Sequence, residues 1–355
     1  MKKTISIILM SVLLISLLAG CGGGGQPAEG DNKQAEGGDK AGSEIKIGLC
    51  LYKFDDTFIS TVRQAIEKDA AEKSKATGDK ITINAVDGQG QQATQNDQVD
   101  TFITQGYDII DVNMVDRTAA SVIIDKAKKA DIPIVFFNRE PVPEDMNKWD
   151  KLYYVGAKAE ESGTMQGSIA VEYWKNHPEA DKNGDGIMQY VMLEGEPGHQ
   201  DAILRTEYSI KAVEEAGIKT EKLASDTGNW QRAQGQEKMA AWLSAFGDKI
   251  EVVFANNDDM ALGAIEALKA AGYFQGDKYM PVIGVDATAP ALDALADGKL
   301  LGTVLNDAKG QGNAILEISY ALAKGKDPEL EGLTDGKYCW VPYQPVTKEN
   351  MDQFR

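Results

Sequence analysis

The feature that most constrains this chain is a hydrophobic rhythm that repeats along most of its length. From Ile45 onward, short apolar runs alternate with longer amphipathic stretches. The spacing predicts strands over 45–52, 81–86, 107–112 and 134–137, with helices over 58–75, 92–105 and 119–130 between them. In the first helix Ile59, Val62 and Ile66 share one face. A second series begins after Tyr153-Tyr154-Val155. Its expected helices are 161–174, 202–216, 232–246, 260–271 and 290–297. Its expected strands are 188–193, 220–224, 252–255, 282–285 and 302–305, and a last long helix spans 308–324. Strand–helix alternation favours parallel sheets covered by helices on both faces. Two series therefore predict an α/β chain of two doubly wound parallel-sheet domains.

In open parallel sheets, ligands bind beyond the carboxyl ends of the strands. Asp55, Asp56 and Phe58 follow the first apolar run, and Asn138 follows Val135-Phe136-Phe137. His199, Asp201 and Arg205 come after the 190–193 run, and Trp230 after 220–224. Asn256 and Asn257 follow 252–255, Asp286 follows 282–285, and Asn306 follows 302–305. Asp, Asn, Arg, His and two aromatics are what a sugar requires. Each hydroxyl must donate and accept, and burying one unpaired is costly. Carboxylates accept charge-assisted bonds, Arg donates two in parallel, and Asn does both. Phe58 and Trp230 would cover the two apolar faces of a pyranose. Asp and Asn are also common helix caps and turn residues, so one of them alone says little. Arg205, His199 and Trp230 are not expected as caps.

Asp181-Lys182-Asn183-Gly184-Asp185-Gly186-Ile187-Met188-Gln189 matches the opening of an EF-hand calcium loop. Asp181, Asn183, Asp185 and Gln189 would give side-chain oxygens and Ile187 its carbonyl. Met192 stands where the loop's closing bidentate acid is expected, so that carboxylate must come from elsewhere. The loop leads into a strand rather than a second helix, which points to a structural calcium ion; a plain Asx-rich surface turn is the alternative.

The first residues read as an address. Met1-Lys2-Lys3 precedes an apolar stretch over 5–19, which suits a secretory signal and is too short for a comfortable membrane span. Leu18-Ala19-Gly20-Cys21 resembles a bacterial lipobox, which implies a signal peptide over 1–20 and lipidation of Cys21. With Cys21, residues up to 44 form an expected flexible tether: 22–44 lack large apolar side chains and are rich in Gly and polar residues. The expected location is extracytoplasmic, lipid-anchored to the cell membrane. Formal net charge is −18, or −20 without the first twenty residues, whose only charges are Lys2 and Lys3. So acidic a chain repels phosphate backbones, and no nucleic-acid partner is expected. The remaining cysteines, Cys50 and Cys339, form no CxxC pair. Cys50 reads as a small buried hydrophobe, and its pairing with Cys339 stays open.

At this point the residues resemble a family. Tyr52-Lys53-Phe54-Asp55-Asp56-Thr57-Phe58, Val135-Phe136-Phe137-Asn138-Arg139-Glu140-Pro141 and Gly195-Glu196-Pro197-Gly198-His199-Gln200-Asp201 with Arg205 look like bacterial periplasmic glucose/galactose-binding proteins. Ala255-Asn256-Asn257-Asp258, Gly284-Val285-Asp286-Ala287 and Gly302-Thr303-Val304-Leu305-Asn306-Asp307 continue the pattern in order. The resemblance implies sugar contacts at Asp56, Phe58, Asn138, His199, Asp201, Arg205, Trp230, Asn257, Asp286 and Asn306, with Asp56 facing the 4-hydroxyl of either epimer. It implies that Glu251 completes the calcium loop. It implies two lobes, 45–155 plus 308–337 and 156–307 plus 338–355, with crossings near Val155, Asp307 and Tyr338. Hinge closure around the sugar follows from the resemblance, not from the residues. A membrane permease of an ABC sugar importer is the implied partner, and docking to a chemoreceptor stays open. Gln200 departs from the pattern, which often has Pro there.

Three other readings compete. Asp56 and Asp201 could be a glycosidase pair, but hydrogen-bonded carboxylates held ionised are poor general acids, so no enzyme is expected. A sugar-responsive repressor would need a basic headpiece where this chain has a secretion signal. The same scaffold could also bind another monosaccharide, such as ribose.

Overall fold

The computed structural model describes residues 42–330 and 332–355. The expected signal segment, Cys21 and nearly all of the tether lie outside the described residues. The first series is β1 (Glu44–Leu51), α1 (Thr57–Thr77), β2 (Lys80–Asp87), α2 (Gln92–Thr104), β3 (Ile109–Val112), α3 (Ala120–Ala130), β4 (Ile134–Phe137), the single turn α4 (Pro143–Met146) and β5 (Leu152–Gly156). The second is α5 (Ala159–Asn176), β6 (Ile187–Glu194), α6 (Gln200–Glu215), β7 (Lys219–Thr227), α7 (Arg232–Phe246), β8 (Val252–Ala255), α8 (Asp258–Ala270), β9 (Val282–Ile283), α9 (Ala289–Ala296) and β10 (Thr303–Leu305). The chain ends with α10 (Ala308–Ala323), β11 (Leu333–Thr334), β12 (Tyr338–Trp340) and β13 (Gln344–Val346).

These elements build two sheets and a short ribbon. One sheet has seven strands in the order β11-β12-β5-β4-β3-β1-β2, parallel except for the β11–β12 edge. The other has four parallel strands, β7-β6-β8-β9. β10 pairs antiparallel with β13 and is bridged to the end of this sheet through Ile283–Gly302 and Asp286–Leu305. The central strands β3, β4 and β8 are buried throughout, as parallel strands covered on both faces must be. Each sheet carries a core on either side. In the first lobe Ile59, Val62 and Ile66 of α1 pack with Ile315 and Ile318 of α10, and Ile123 and Ile124 of α3 pack with Phe102 on the opposite face. In the second, Met239, Met260 and Leu268 lie on one face and Ile169, Met192 and Val213 on the other.

The chain passes between lobes after β5, after β10 and after β12. The last passage corrects the expected boundary at residues 337 and 338. Tyr338–Trp340 still belongs to the first lobe, because it runs parallel to Tyr154–Gly156. Only at Gln344–Val346 does the chain pair in the second lobe, with Thr303–Leu305. Cys50 and Cys339 are both buried free thiols, in different cores.

Candidate ligand-binding site

The carboxyl ends of both sheets face one cavity between the lobes. Every residue expected to touch a sugar lines it: Asp56, Phe58 and Asn138 from the first lobe, His199, Asp201, Arg205, Trp230, Asn257 and Asp286 from the second, and Asn306 at the crossing. Tyr52, Ile59 and Arg139 complete the wall. Sequence reasoning missed these three. Tyr52 and Arg139 stood in the quoted motifs, beside Lys53 and Asn138, but no role followed from position alone. Asn256 points elsewhere: fully buried, it accepts from the Gly195 N–H at 2.9 Å and ties the β6 and β8 loops together. Asp55 is exposed and does not line the cavity.

Several of these side chains also start helices. Asp56 caps α1 by accepting from the Ile59 N–H at 2.8 Å, and Asn257 caps α8 by accepting from Met260 at 3.0 Å. His199 caps α6 through its Nδ1, which accepts from the Asp201 N–H at 3.1 Å. This overturns the expectation that His199 is no cap. An imidazole nitrogen kept unprotonated can accept like an Asp oxygen. Burial, aided by the charges of Arg139, Arg205 and Arg117, pushes the His199 pKa well down and keeps that nitrogen an acceptor.

Arg205 is the best-held group in the wall. Its Nη1 donates to the Asn256 carbonyl at 2.8 Å, its Nη2 to Asp201 Oδ2 at 3.1 Å and to Tyr343 Oη at 3.0 Å, and its Nε to Ser162 Oγ at 3.2 Å. Asp286 Oδ1 lies 3.9 Å away. Burial disfavours its charge, but Tyr343, Asp201 and Asp286 outweigh that and raise its pKa. Asn306 donates to Asp286 at 3.2 Å and accepts from Gln311 at 2.6 Å. Asn113 donates to Asn138 Oδ1 at 3.1 Å.

The carboxylates behave otherwise than the sequence suggested. Burial raises the pKa of Asp56, Asp201 and Asp286 above the usual range. Hydrogen bonds from Ile59 and Tyr52 oppose the shift at Asp56, and the Arg205 charge opposes it at Asp201 and Asp286. The expectation that these groups are held firmly ionised by their protein partners is therefore not met. Ligand hydroxyls, donating to them, would favour the charged form.

The backbone is bent to present these groups. Asn138, Trp230 and Asp286 have φ of 59°, 65° and 124°, a region that side-chain-bearing residues seldom occupy and that tends to gather at functional sites. The Trp230 ring lies against Gly195, where an added Cβ would sit 2.1 Å from the ring. It meets His199 edge-on, with centroids 5.0 Å apart.

A cavity built from both lobes at the strand ends matches what sequence comparison finds. A family model described as "Periplasmic binding protein domain" matches residues 47–327. The chain belongs to the periplasmic binding protein family. The D-galactose/methyl-galactoside binding periplasmic protein MglB of Haemophilus influenzae is 44% identical over 317 residues, covering 88% of this chain and 92% of that protein. The ribose import binding protein RbsB of Bacillus subtilis is 30% identical over 326 residues, covering 92% and 95%. Among solved structures, an ABC transporter solute binding protein from Bacillus halodurans with bound myo-inositol superposes with a TM-score of 0.73 at 32% identity, covering 89% of this chain and 98% of that one.

In this periplasmic binding protein the calcium-like loop lies on the second lobe, ahead of β6. Gly184 and Gly186, with φ of 74° and 73°, turn it tightly. Asp185 Oδ2 accepts from Asn183 Nδ2 and Gln189 Nε2, both at 3.0 Å, so these side chains converge. Asp181 folds over the loop, accepting from Gly184 and Gly186 at 2.8 Å. Glu251, only 1% exposed, reaches in from the start of β8. It accepts from the Lys182 N–H at 2.7 Å and the Gln189 N–H at 2.9 Å. Among the described residues no three His, Cys, Asp or Glu side chains gather into a metal cluster. The side chains that converge here are instead carboxylates and amides, those of Asp181, Asn183, Asp185, Gln189 and Glu251. That all-oxygen set fits calcium, and a buried Glu251 beside an acidic loop is a placement a cation would favour.

Proposed function

We propose that the chain binds one D-glucose or D-galactose molecule between its lobes, outside the cytoplasm, and delivers it to the membrane permease of an ABC importer without chemical change. One observation carries this reading. One inter-lobe cavity is lined by three carboxylates, two arginines, three asparagines, a histidine that burial keeps neutral and three aromatic rings. Such a wall supplies both donors and acceptors for a ring of hydroxyls and apolar surface for its two faces. The wall draws on both lobes, so only the closed arrangement makes all contacts, and the sugar favours closure by that difference. The Haemophilus influenzae relative is named for D-galactose, which supports the hexose reading. The ribose and myo-inositol relatives support a second reading, the same scaffold holding another monosaccharide or cyclic polyol. Carriage of ligand to a chemoreceptor is compatible with the same closed form.

Two further assignments belong to this proposal. Calcium held by Asp181, Asn183, Asp185, Ile187, Gln189 and Glu251 would tie the loop to β8 as a structural ion. Lipid on Cys21 would anchor the protein outside the membrane. A thermal-shift screen of D-glucose, D-galactose, D-ribose, xylitol and myo-inositol tests the ligand class. The proposal expects the two hexoses to give the largest rise in Tm. A larger rise with ribose, xylitol or myo-inositol would transfer the assignment to that ligand, and no rise with any would remove it.

A further inference from the structure

Gln200 departs from the motif that resembles the hexose binders, and it does not line the cavity. It opens α6 as its first residue, between the cap His199 and Asp201. Its side chain leaves its own lobe. Oε1 accepts from Arg117 Nη2 at 2.7 Å, and Nε2 donates to Glu140 Oε2 at 3.1 Å. Both partners belong to the first lobe, one after β3 and one after β4. Arg117 is itself braced, its Nε donating to the Glu140 carbonyl at 2.7 Å. A cation and an anion thus stand side by side, and one amide has the acceptor and the donor to satisfy both.

The same rim carries a second crossing. Arg139 Nη2 lies 2.7 Å from Glu196 Oε2, and Lys53 Nζ lies 3.4 Å from Glu196 Oε1. Residues of both crossings line one recess with His199: Arg117, Glu140 and Gln200 from the first, Arg139 and Glu196 from the second.

We infer that Gln200 is a positioning residue that clasps the lobes shut, setting how long the ligand stays without touching it. This rests on the proposed holding of a ligand between the lobes. Ligand contacts are divided between the lobes, so release requires them to part. A bond made only in the closed arrangement lowers its free energy and slows opening, while leaving the encounter of ligand with the open form unchanged. Bonds to charged partners are the stronger kind, though the rim's solvent exposure reduces their weight.

The position allows a clean test. A proline is well tolerated as the first residue of a helix, and the Gln200 N–H has no hydrogen-bond partner among the described residues. Gln200→Pro therefore removes the clasp and keeps the helix. Gln200→Ala is the companion variant should the proline disturb folding. Gln200→Glu keeps an acceptor for Arg117 but repels Glu140. Stopped-flow Trp fluorescence with D-galactose and D-glucose would give association and dissociation rates for the purified proteins. Small-angle scattering without sugar would report how open each one is. The clasp predicts dissociation faster by roughly three- to tenfold in Gln200→Pro and Gln200→Ala, association within about twofold, and a larger radius of gyration without sugar. Gln200→Glu should fall between these and the parent. Unchanged dissociation and unchanged scattering would overturn the clasp. So would slower association with unchanged dissociation, which would mark a recognition role. If the parent protein binds neither hexose, the proposed function fails by itself, and the scattering comparison still decides the clasp.

Discussion

The Tyr52 hydroxyl donates to Asp56 Oδ2 at 2.5 Å, while Asp56 Oδ1 accepts from the Ile59 N–H at 2.8 Å. One carboxylate therefore caps α1, is fixed by the end of β1 and faces the cavity. The Arg139 guanidinium lies 3.7 Å over the Tyr52 ring and braces it from behind. Tyr52→Phe removes a donor that opposes the burial-driven rise in the Asp56 pKa. The carboxylate becomes a weaker and less fixed acceptor. Hexose affinity should fall roughly tenfold, with thermal stability nearly unchanged. Calorimetric titration beside a melting curve would show both, and an unchanged affinity would count against the Tyr52 role.

Gly195 gives a second handle. An added Cβ there would stand 2.1 Å from the Trp230 ring, so Gly195→Ala must displace the ring or the β6 loop. Trp230 also packs in the second lobe's core, and overpacking of this kind costs about 1–3 kcal/mol. The expected result is a lower Tm together with hexose binding weaker by roughly tenfold or more. Normal binding would mean that the Trp230 position is not critical.

Asp111 is a buried acid away from the cavity. It lies on β3, accepts from Ser319 Oγ of α10 at 2.7 Å, and leaves its other oxygen unpartnered among the described residues. Burial pushes its pKa up to about 8. The unfolded chain would bind this proton only up to about pH 4. The native state thus holds more protons between those values, and stability falls as pH rises. The contribution is fully present below about pH 4 and is lost by about pH 8. Asp111→Asn should flatten this part of the stability–pH curve, as measured by denaturant unfolding from acidic to mildly alkaline pH. A curve parallel to that of the parent would contradict it.

For the loop at Asp181–Gln189, calcium at about a hundred times its dissociation constant would stabilise the fold by about 2.7 kcal/mol. Chelator should lower the Tm of the parent protein and leave that of Asp181→Ala unchanged. Equal chelator sensitivity in both would exclude this loop as the site.

Much of the cavity was readable because parallel strands bring their carboxyl ends to one place. Once 134–137 and 252–255 read as buried strands, Asn138 and Asn257 had to lie at the cleft. Other features depended on contacts that spacing does not encode. Tyr52 reads as the end of an apolar run, and only the fold brings its hydroxyl to Asp56. His199 did not read as a cap because its capping depends on burial that keeps the ring neutral. Trp340 and its neighbours fell to the wrong lobe because β11, β12 and β13 are two or three residues long. A strand that short shows no alternation, and pairing with β5 alone decides its place. Gln200 read only as a departure from a pattern that often has Pro there. Its partners, Arg117 and Glu140, are distant in sequence and meet it only when the lobes are together.

The most direct test of the central claim is a calorimetric titration of the purified protein with D-galactose and D-glucose, repeated on Asp201→Ala. Asp201 is buried, faces the cavity and pairs with Arg205 at 3.1 Å. One-to-one binding of at least one hexose by the parent, weakened a hundredfold or more in the variant, is the predicted result. No heat of binding with either hexose, or equal affinity in Asp201→Ala, would contradict it.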